Sequence, residues 1–171
     1  MHKIVITKKL LLLFIVLAIC VFPLASCDDS DDSGESFGIF LIDTDELVLS
    51  DEHIKAYHSE THEIELNQKG IEKWNSYMTY ETIPQLAQTL YTKKFVTRVG
   101  NKEAYRGTFW SMASSAIPEG IIISETLFKL DATHNTIQLK LSLIEPQGSD
   151  SEDPRNDAKV LNFFEERGIL K

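Results

Sequence analysis

The first 36 residues decide which part of the chain is left to fold. Lys3, Lys8 and Lys9 precede an apolar run over residues 10–22, which Pro23 ends. A basic start, an apolar stretch and small residues before a cleavage point are typical of a secretory signal peptide. The run is shorter than the roughly 20 residues that cross a bilayer as a helix. We therefore expect residues 1–26 to be cleaved and the fold to come from the remainder.

The end of this leader carries a lipidation motif. Leu24, Ala25, Ser26 and Cys27 resemble a bacterial lipobox. The resemblance implies cleavage after Ser26 and a diacylglycerol thioether on Cys27, whose acyl chains would hold the protein on the outside of a bacterial cell membrane. Asp28 resembles the signal that retains some Gram-negative lipoproteins in the inner membrane. The alternative is an ordinary secretory signal that happens to end in cysteine.

Charge and cysteine content exclude several function classes. Lys and Arg number 17 against 26 Asp and Glu, a net charge of -9, so a nucleic-acid partner is not expected. If the lipobox prediction holds, Cys20 leaves with the leader and Cys27 is lipidated, so no thiol remains for catalysis. Residues 27–36 combine the lipidated cysteine with an acidic, flexible tether. Residues 37–171 are left as a single domain.

The pattern beyond the tether predicts an α+β fold. Strands are expected at residues 37–42, 62–66, 94–99, 103–110, 120–126 and 136–143. Helices are expected from Asn67 to about Tyr80, over residues 83–91 after Pro84, and in a closing segment from Asp153, with one or two helical turns after Ser50. We expect a mixed or antiparallel sheet of about five to six strands with two to three helices packed on it.

Parts of this domain resemble a known family. Residues 63–74, 95–102 and 157–170 are similar to the first periplasmic domain of SecD, the accessory subunit of the Sec translocon, where a strand feeds a helix, a hairpin follows and a helix closes the domain. Asn101 replaces the glycine of the hairpin turn. The transmembrane helices of SecD are missing from the pattern, so its motor role is not implied. The resemblance implies this fold and a role as an accessory of protein export.

Two histidines form a candidate metal site. His58 and His62 stand four residues apart, and His53, Glu60 and Glu63 are close in the sequence. On a helix the pair would share one face and supply zinc with two nitrogen ligands. A zinc site at these histidines would indicate a metal-binding protein or a metal-dependent hydrolase. The alternative is surface histidines without a metal, in which case no cofactor is expected.

The segment after residue 108 is the candidate partner surface. Phe109, Trp110, Met112 and Ile117 concentrate apolar area there, beside Ser111, Ser114 and Ser115. Apolar clusters of this kind contact protein or peptide partners, although core packing is the alternative. The serines lack a GxSxG elbow, so no catalytic residue is assigned.

A polar cluster near the end of the domain is interpreted as a helix cap and not as a catalytic site. Asp153, Arg155, Asn156 and Asp157 precede the closing helix, where carboxylates cap backbone amides and pair with arginine. Because the sequence pattern identifies no set of catalytic residues, the leading hypothesis is a non-enzymatic, lipid-anchored binding domain at the cell envelope.

Overall fold

The structure is a computed structural model that describes residues 35–142 and 152–171. The leader, Cys27 and most of the tether lie outside the described residues, and the predictions about them stay predictions. The described strands are β1 (Phe37–Leu41), β2 (Leu47–Ser50), β3 (Ile54–His58), β4 (Glu63–Leu66), β5 (Met78–Thr79), β6 (Gln85–Leu86), β7 (Lys94–Val99), β8 (Lys102–Trp110), β9 (Ile121–Ser124) and β10 (Thr136–Leu141). The described helices are α1 (Gln68–Ser76) and α2 (Ala158–Glu166).

One mixed sheet dominates the fold. Its strand order is β2-β1-β7-β8-β9-β10-β4-β3, with β8 and β9 parallel and the other neighbours antiparallel. The α+β class is confirmed. The predicted sheet of five to six strands was too small, because the sheet has eight strands.

The two strands that the sequence analysis did not predict, β2 and β3, flank a short helical turn. Ser50 and the acids after it predicted one or two helical turns, and a 3-10 turn does form at Asp51–His53. The Ser50 backbone N–H lies 3.0 Å from Nδ1 of His53 and closes this turn. The chain then extends at once into β3, because Ile54 pairs with Leu66 of β4. Sheet pairing therefore ends the helical geometry after three residues.

The same short turn forces the sheet to curl. β2 and β3 lie at opposite ends of the strand order, yet only the three residues Asp51–His53 connect them. A flat sheet of eight strands spaced about 4.8 Å apart would hold its end strands more than 30 Å apart. Three residues span about 10 Å at most. The two edges must therefore curve toward each other around an enclosed core.

Helix α2 fills the space between the two ends of the sheet. Its Phe164 is fully buried and lies 4.8 Å from the ring centroid of Phe37 on β1 and 5.0 Å from that of Tyr57 on β3. A single side chain thus packs against the end strand β3 and against β1, which neighbours the other end strand. The residues after the helix continue this closure, since the Tyr57 N–H donates to the Ile169 carbonyl and the Lys171 N–H donates to the Tyr57 carbonyl. The C-terminal residues therefore cover the free edge of β3.

Several sequence predictions are confirmed. Asn67 caps α1 by accepting a hydrogen bond from the Gly70 N–H, and Ile71 and Trp74 are buried. The β7–β8 hairpin forms as expected. Gly168, with φ of 69°, ends the closing segment in the left-handed conformation that glycine adopts readily. The strand expected at 136–143 ends at Leu141, since Ser142 is described outside it, and residue 143 lies outside the described residues.

The region after α1 differs from the prediction. The helix ends at Ser76 instead of near Tyr80, because Met78 begins a two-stranded ribbon. The helix expected over residues 83–91 is replaced by β6, in which Leu86 pairs with Met78. Leu86 and Leu90 are both buried, as the apolar spacing required. A strand followed by a turn buries these two leucines as a helix would have done. The backbone is a strand here because it pairs with β5.

Truncation of Phe164 should remove a large part of the stability. We expect Phe164→Ala to lower the free energy of unfolding by about 3 to 5 kcal/mol, since it leaves a cavity between the two ends of the sheet. Urea denaturation followed by circular dichroism measures this change. Phe128→Ala is the matched control, because Phe128 is 64% exposed and its loss should change stability by less than about 0.5 kcal/mol. Equal effects of the two variants would contradict the role of Phe164.

Candidate binding surface

The parallel strand pair brings two loops to one edge of the sheet. Trp110 at the end of β8 lies opposite Ser124 at the end of β9. Because the strands are parallel, both chains leave the sheet at the same edge. The first loop (residues 111–120) and the second loop (residues 125–135) therefore start side by side. Ligands often bind at the carboxyl ends of neighbouring parallel strands for this reason.

A buried carboxylate joins the beginnings of the two loops. Oε1 of Glu125 accepts hydrogen bonds from the Ser111 hydroxyl at 2.9 Å and from the Met112 N–H at 2.8 Å. Oε2 of the same carboxylate is buried without a hydrogen-bond partner among the described residues. Ser111 therefore acts as a donor that positions the first loop. Ser114 makes a contact within the same loop, since its hydroxyl accepts a hydrogen bond from the Ala116 N–H at 3.3 Å.

The first loop covers a groove on the outer face of the sheet, which we call the Trp110 groove. Register places Thr108, Ile122 and Lys140 beside one another on this face, and Trp110 follows on the same side. The opposite, inner face carries Phe109, Ile123 and Leu139. The groove has a volume of about 350 Å³, and most of its wall is apolar, formed by Trp110, Met112, Ile117, Pro118, Ile122 and Leu141.

The structure divides the predicted partner surface between the core and the groove. Phe109 is fully buried and packs 5.1 Å from the ring centroid of Phe95, so its assignment to a partner surface was wrong. The strand alternation explains this, because neighbouring residues point to opposite faces. Trp110 is partly buried and lies 6.0 Å from Tyr91. Met112 and Ile117 are 62% and 57% exposed, so both are accessible to a partner.

A second groove lies under the second loop, and sequence reasoning missed it. This Phe128 groove has a volume of about 370 Å³, and Leu127 and Phe128 at its rim are 72% and 64% exposed. The sequence did contain a signal for this groove, because Leu127 and Phe128 directly follow the strand predicted at 120–126, whose last three residues are polar. Lys140 lines both grooves, whereas Glu63 and Glu125 line the Phe128 groove.

The two predicted metal ligands have separate partners. His58 ends β3 and lies 3.7 Å from a carboxylate oxygen of Glu65. His62 occupies a turn at φ of 53°, so the pair lies in a strand and a turn and not on a helix. Within residues 35–142 and 152–171, no group of three or more His, Cys, Asp or Glu side chains is arranged to hold a metal. The zinc site stays a prediction.

His62 is itself buried and belongs instead to a partly buried polar cluster. Its Nδ1 lies 3.0 Å from the Tyr57 hydroxyl, and its Nε2 lies 3.5 Å from a carboxylate oxygen of Asp153. Arg155 pairs with Asp153 and donates to the Leu139 carbonyl, which ties the cluster to β10. Burial lowers the pKa of His62, and the nearby Arg155 charge lowers it further, while Asp153 partly opposes this. The Arg155 guanidinium also lowers the pKa of Asp153.

The capping prediction for this cluster is confirmed. Oδ1 of Asp153 accepts from the Arg155 N–H at 2.9 Å, and Oδ1 of Asp157 accepts from the Lys159 N–H at 2.8 Å. Asp157, and not Asp153, is the N-cap of α2, because a 3-10 turn at Pro154–Asn156 comes first. These polar residues therefore organise the start of the closing helix.

Acidification should destabilise the fold through His62. Its pKa lies below the ordinary value of 6.5, so the unfolded chain binds the proton first as the pH falls. Its contribution to stability is therefore complete above about pH 6.5 and decreases as the pH falls below that value toward the folded-state pKa. We expect the wild type to lose more unfolding free energy between pH 7.5 and pH 5 than His62→Asn, as measured by urea denaturation. Asparagine tolerates the positive φ at this position.

Two comparisons isolate the effect of His62. Burial also lowers the pKa of His53, but that contribution is the same in the wild type and in His62→Asn. His134 is exposed, and His134→Asn is the control for the loss of a histidine outside the cluster around His62. An unchanged pH dependence in His62→Asn would show that His62 is not responsible.

No protein-family model, no curated protein and no solved structure matches this chain. Neither helix within the described residues has both the length and the apolar character that a membrane span requires. The assignment of a function therefore rests on the signals in the sequence and on the geometry of the grooves.

Proposed function

We propose that this chain is a lipid-anchored, extracytoplasmic bacterial lipoprotein whose domain binds a ligand or partner at the cell envelope without catalysing a reaction. The two loops after β8 and β9, with the grooves beneath them, are the proposed binding surface. One observation carries this choice. Seven large apolar side chains are exposed in the described part of the chain, and four of them lie in these two loops: Met112, Ile117, Leu127 and Phe128.

Concentrated apolar exposure is typical of binding surfaces. Isolated exposed apolar residues are ordinary on soluble proteins, but grouped ones beside a concave surface mark sites of interaction. Both grooves have volumes within the range of small-molecule sites, and the Trp110 groove combines apolar walls with few polar groups, as such sites do. The Glu125 carboxylate adds support, because its bonds to Ser111 and Met112 hold the first loop over the groove.

The anchor is supported by the sequence of the leader. The lipobox at residues 24–27 indicates acylation of Cys27, and two or more acyl chains give stable membrane attachment. The acidic residues that follow would keep the domain away from anionic lipid headgroups. In a Gram-negative cell, Asp28 favours the inner membrane.

Two other functions stay predictions from the sequence. The SecD-like segments suggest an accessory of protein export, and His58 with His62 suggests a metal-binding protein or metal-dependent hydrolase. No contact among the described residues favours either function over ligand binding.

The anchor can be tested by its chemistry. In cells fed labelled palmitate, we expect the wild-type chain to carry label and to sediment with membranes. Cys27→Ser should abolish the label, because the thioether can form only on that sulfur. Cys20→Ser is the matched control and should retain the label. Labelling of the Cys27→Ser variant, or an unlabelled wild type, would contradict the lipoprotein assignment.

The groove can be tested with an uncharged probe. We expect Nile red, a neutral apolar dye, to bind the mature chain (residues 27–171 with Cys27→Ser) saturably. Ile117→Ser should weaken binding roughly tenfold, because transferring an isoleucine-sized apolar surface is worth about 1.5 to 3 kcal/mol. Fluorescence titration measures the affinity. Ile83→Ser is the matched control, because Ile83 is 64% exposed and lines neither groove.

The Nile red experiment distinguishes the two grooves. A loss in Phe128→Ser with full binding in Ile117→Ser would move the site to the Phe128 groove. Absence of saturable binding to the wild type would contradict the proposed surface as a whole.

A further inference from the structure

The Phe128 groove contains two side chains of opposite charge that do not pair with each other. The Nζ atom of Lys140 lies 3.4 Å from the Ser124 hydroxyl, and Ser124 lines this groove and not the Trp110 groove. No carboxylate within residues 35–142 and 152–171 forms an ion pair with this ammonium group. Glu63 lines the same groove, and no hydrogen bond or ion pair from the described residues engages its carboxylate.

Strand register sets the spacing of these two charges. Glu63 on β4 lies opposite Gln138 on β10, and Lys140 follows two residues later on the same face of β10. Glu63 and Lys140 are thus diagonal neighbours, which lie about 7 to 8 Å apart in an antiparallel pair. A gap of this size accommodates a small group that itself carries an ammonium and a carboxylate.

The other carboxylates nearby are already engaged. Oε1 of Glu125 is held by the first loop, and its Oε2 is buried. Glu65, on the same face of β4 as Glu63, pairs with Lys55 at 2.7 Å. Glu63 is therefore the carboxylate that a ligand in the Phe128 groove can reach.

The second loop, which forms one wall of the groove, is fixed by its own hydrogen bonds. Oδ1 of Asn75 on α1 accepts from the Leu130 N–H at 3.0 Å, and its Nδ2 donates to the Leu130 carbonyl at 2.9 Å. Oδ1 of Asp131 accepts from the N–H groups of Thr133 and His134, both at 2.8 Å. A preformed wall lowers the ordering cost that binding has to overcome.

We propose that the Phe128 groove binds a free α-amino acid with a large apolar side chain. The α-ammonium group pairs with Glu63, and the α-carboxylate pairs with Lys140. The apolar side chain contacts Leu127 and Phe128, which are exposed at the rim. This inference rests on the proposed function and names the ligand class of one of its two grooves.

Charge and size together favour this class. A free α-amino acid carries both charges on one carbon atom, so both reach the diagonal pair at once. The two termini of a longer peptide lie on different residues, and only one of them would fit between Glu63 and Lys140. The groove volume of about 370 Å³ lies within the range of small-molecule sites. Two charge-assisted hydrogen bonds then select the zwitterion over singly charged compounds.

The test compares three compounds with the same aromatic side chain and different charges. L-Phenylalanine is zwitterionic, 2-phenylethylamine keeps only the ammonium group, and 3-phenylpropanoate keeps only the carboxylate. Each is titrated at pH 7 into the mature chain with Cys27→Ser, and calorimetry measures the affinity. We expect phenylalanine to bind roughly tenfold more tightly than either analogue, because each analogue lacks one charge-assisted hydrogen bond. Glycine should also bind roughly tenfold more weakly, because it lacks the apolar side chain.

Variants assign each charge to one side chain. Glu63→Gln should abolish the preference for phenylalanine over 3-phenylpropanoate, and Lys140→Gln should abolish its preference over 2-phenylethylamine. Lys140→Arg should retain both preferences. Glu60→Gln and Lys94→Gln are the matched controls, because both residues are exposed and line neither groove, and they should behave as the wild type. Circular dichroism verifies that each variant is folded.

Several outcomes would overturn the inference. Equal wild-type affinities for the three compounds, or preferences that survive in Glu63→Gln and Lys140→Gln, would show that this pair does not recognise a zwitterion. Tighter binding of 2-phenylethylamine than of phenylalanine would identify a site for a cationic amine. Loss of phenylalanine binding in Ile117→Ser but not in Phe128→Ser would move the ligand to the Trp110 groove.

The Nile red titration separates this inference from the proposed function. Saturable binding of Nile red without binding of phenylalanine would retain the proposed surface and reject this ligand class. Absence of binding by both compounds would reject the proposed surface as well.

Discussion

The three-residue connection between β2 and β3 is the constraint on which the rest of the structure depends. It joins the two end strands of an eight-stranded sheet, so the sheet has to curl and enclose its inner face. The curled sheet leaves a space that α2 fills with Phe164, and the C-terminal residues then pair with β3. Local capping by Ser50 and His53 thus has consequences for the whole fold, because the turn stops before a helix can separate the strands.

The curl also gives each strand of the eight-stranded sheet an inner and an outer side, and the candidate binding surface lies on the outer side. Phe109, Ile123 and Leu139 face inward and form part of the core. The residues beside them face outward beneath the two loops that follow the parallel pair β8 and β9. The core and the candidate site therefore share the same strands, and the buried Glu125 links the position of the first loop to the end of β9.

The sequence predicted elements well where one local signal was sufficient. Asn67 and Gly168 mark the start of α1 and the end of the closing helix, and the residues around Gly100 predict the β7–β8 hairpin. Prediction failed where two structures satisfy the same spacing. Leu86 and Leu90 suit a helix or a strand followed by a turn, and pairing with Met78 decided between them. Phe109 was misassigned because local apolar density does not say which side of a strand is enclosed.

The sequence by itself determined the α+β class, the acidic composition and most of the helix and strand positions, since these depend on composition and on neighbours within a few residues. It also predicts lipidation at Cys27. Only the tertiary structure decided the curl of the sheet, the parallel pairing of β8 and β9 and the placement of Lys140 between two grooves. Lys140 is far in sequence from Trp110, and their proximity depends on strand register. Register is a property of the assembled sheet, because pairing energies between distant segments select it.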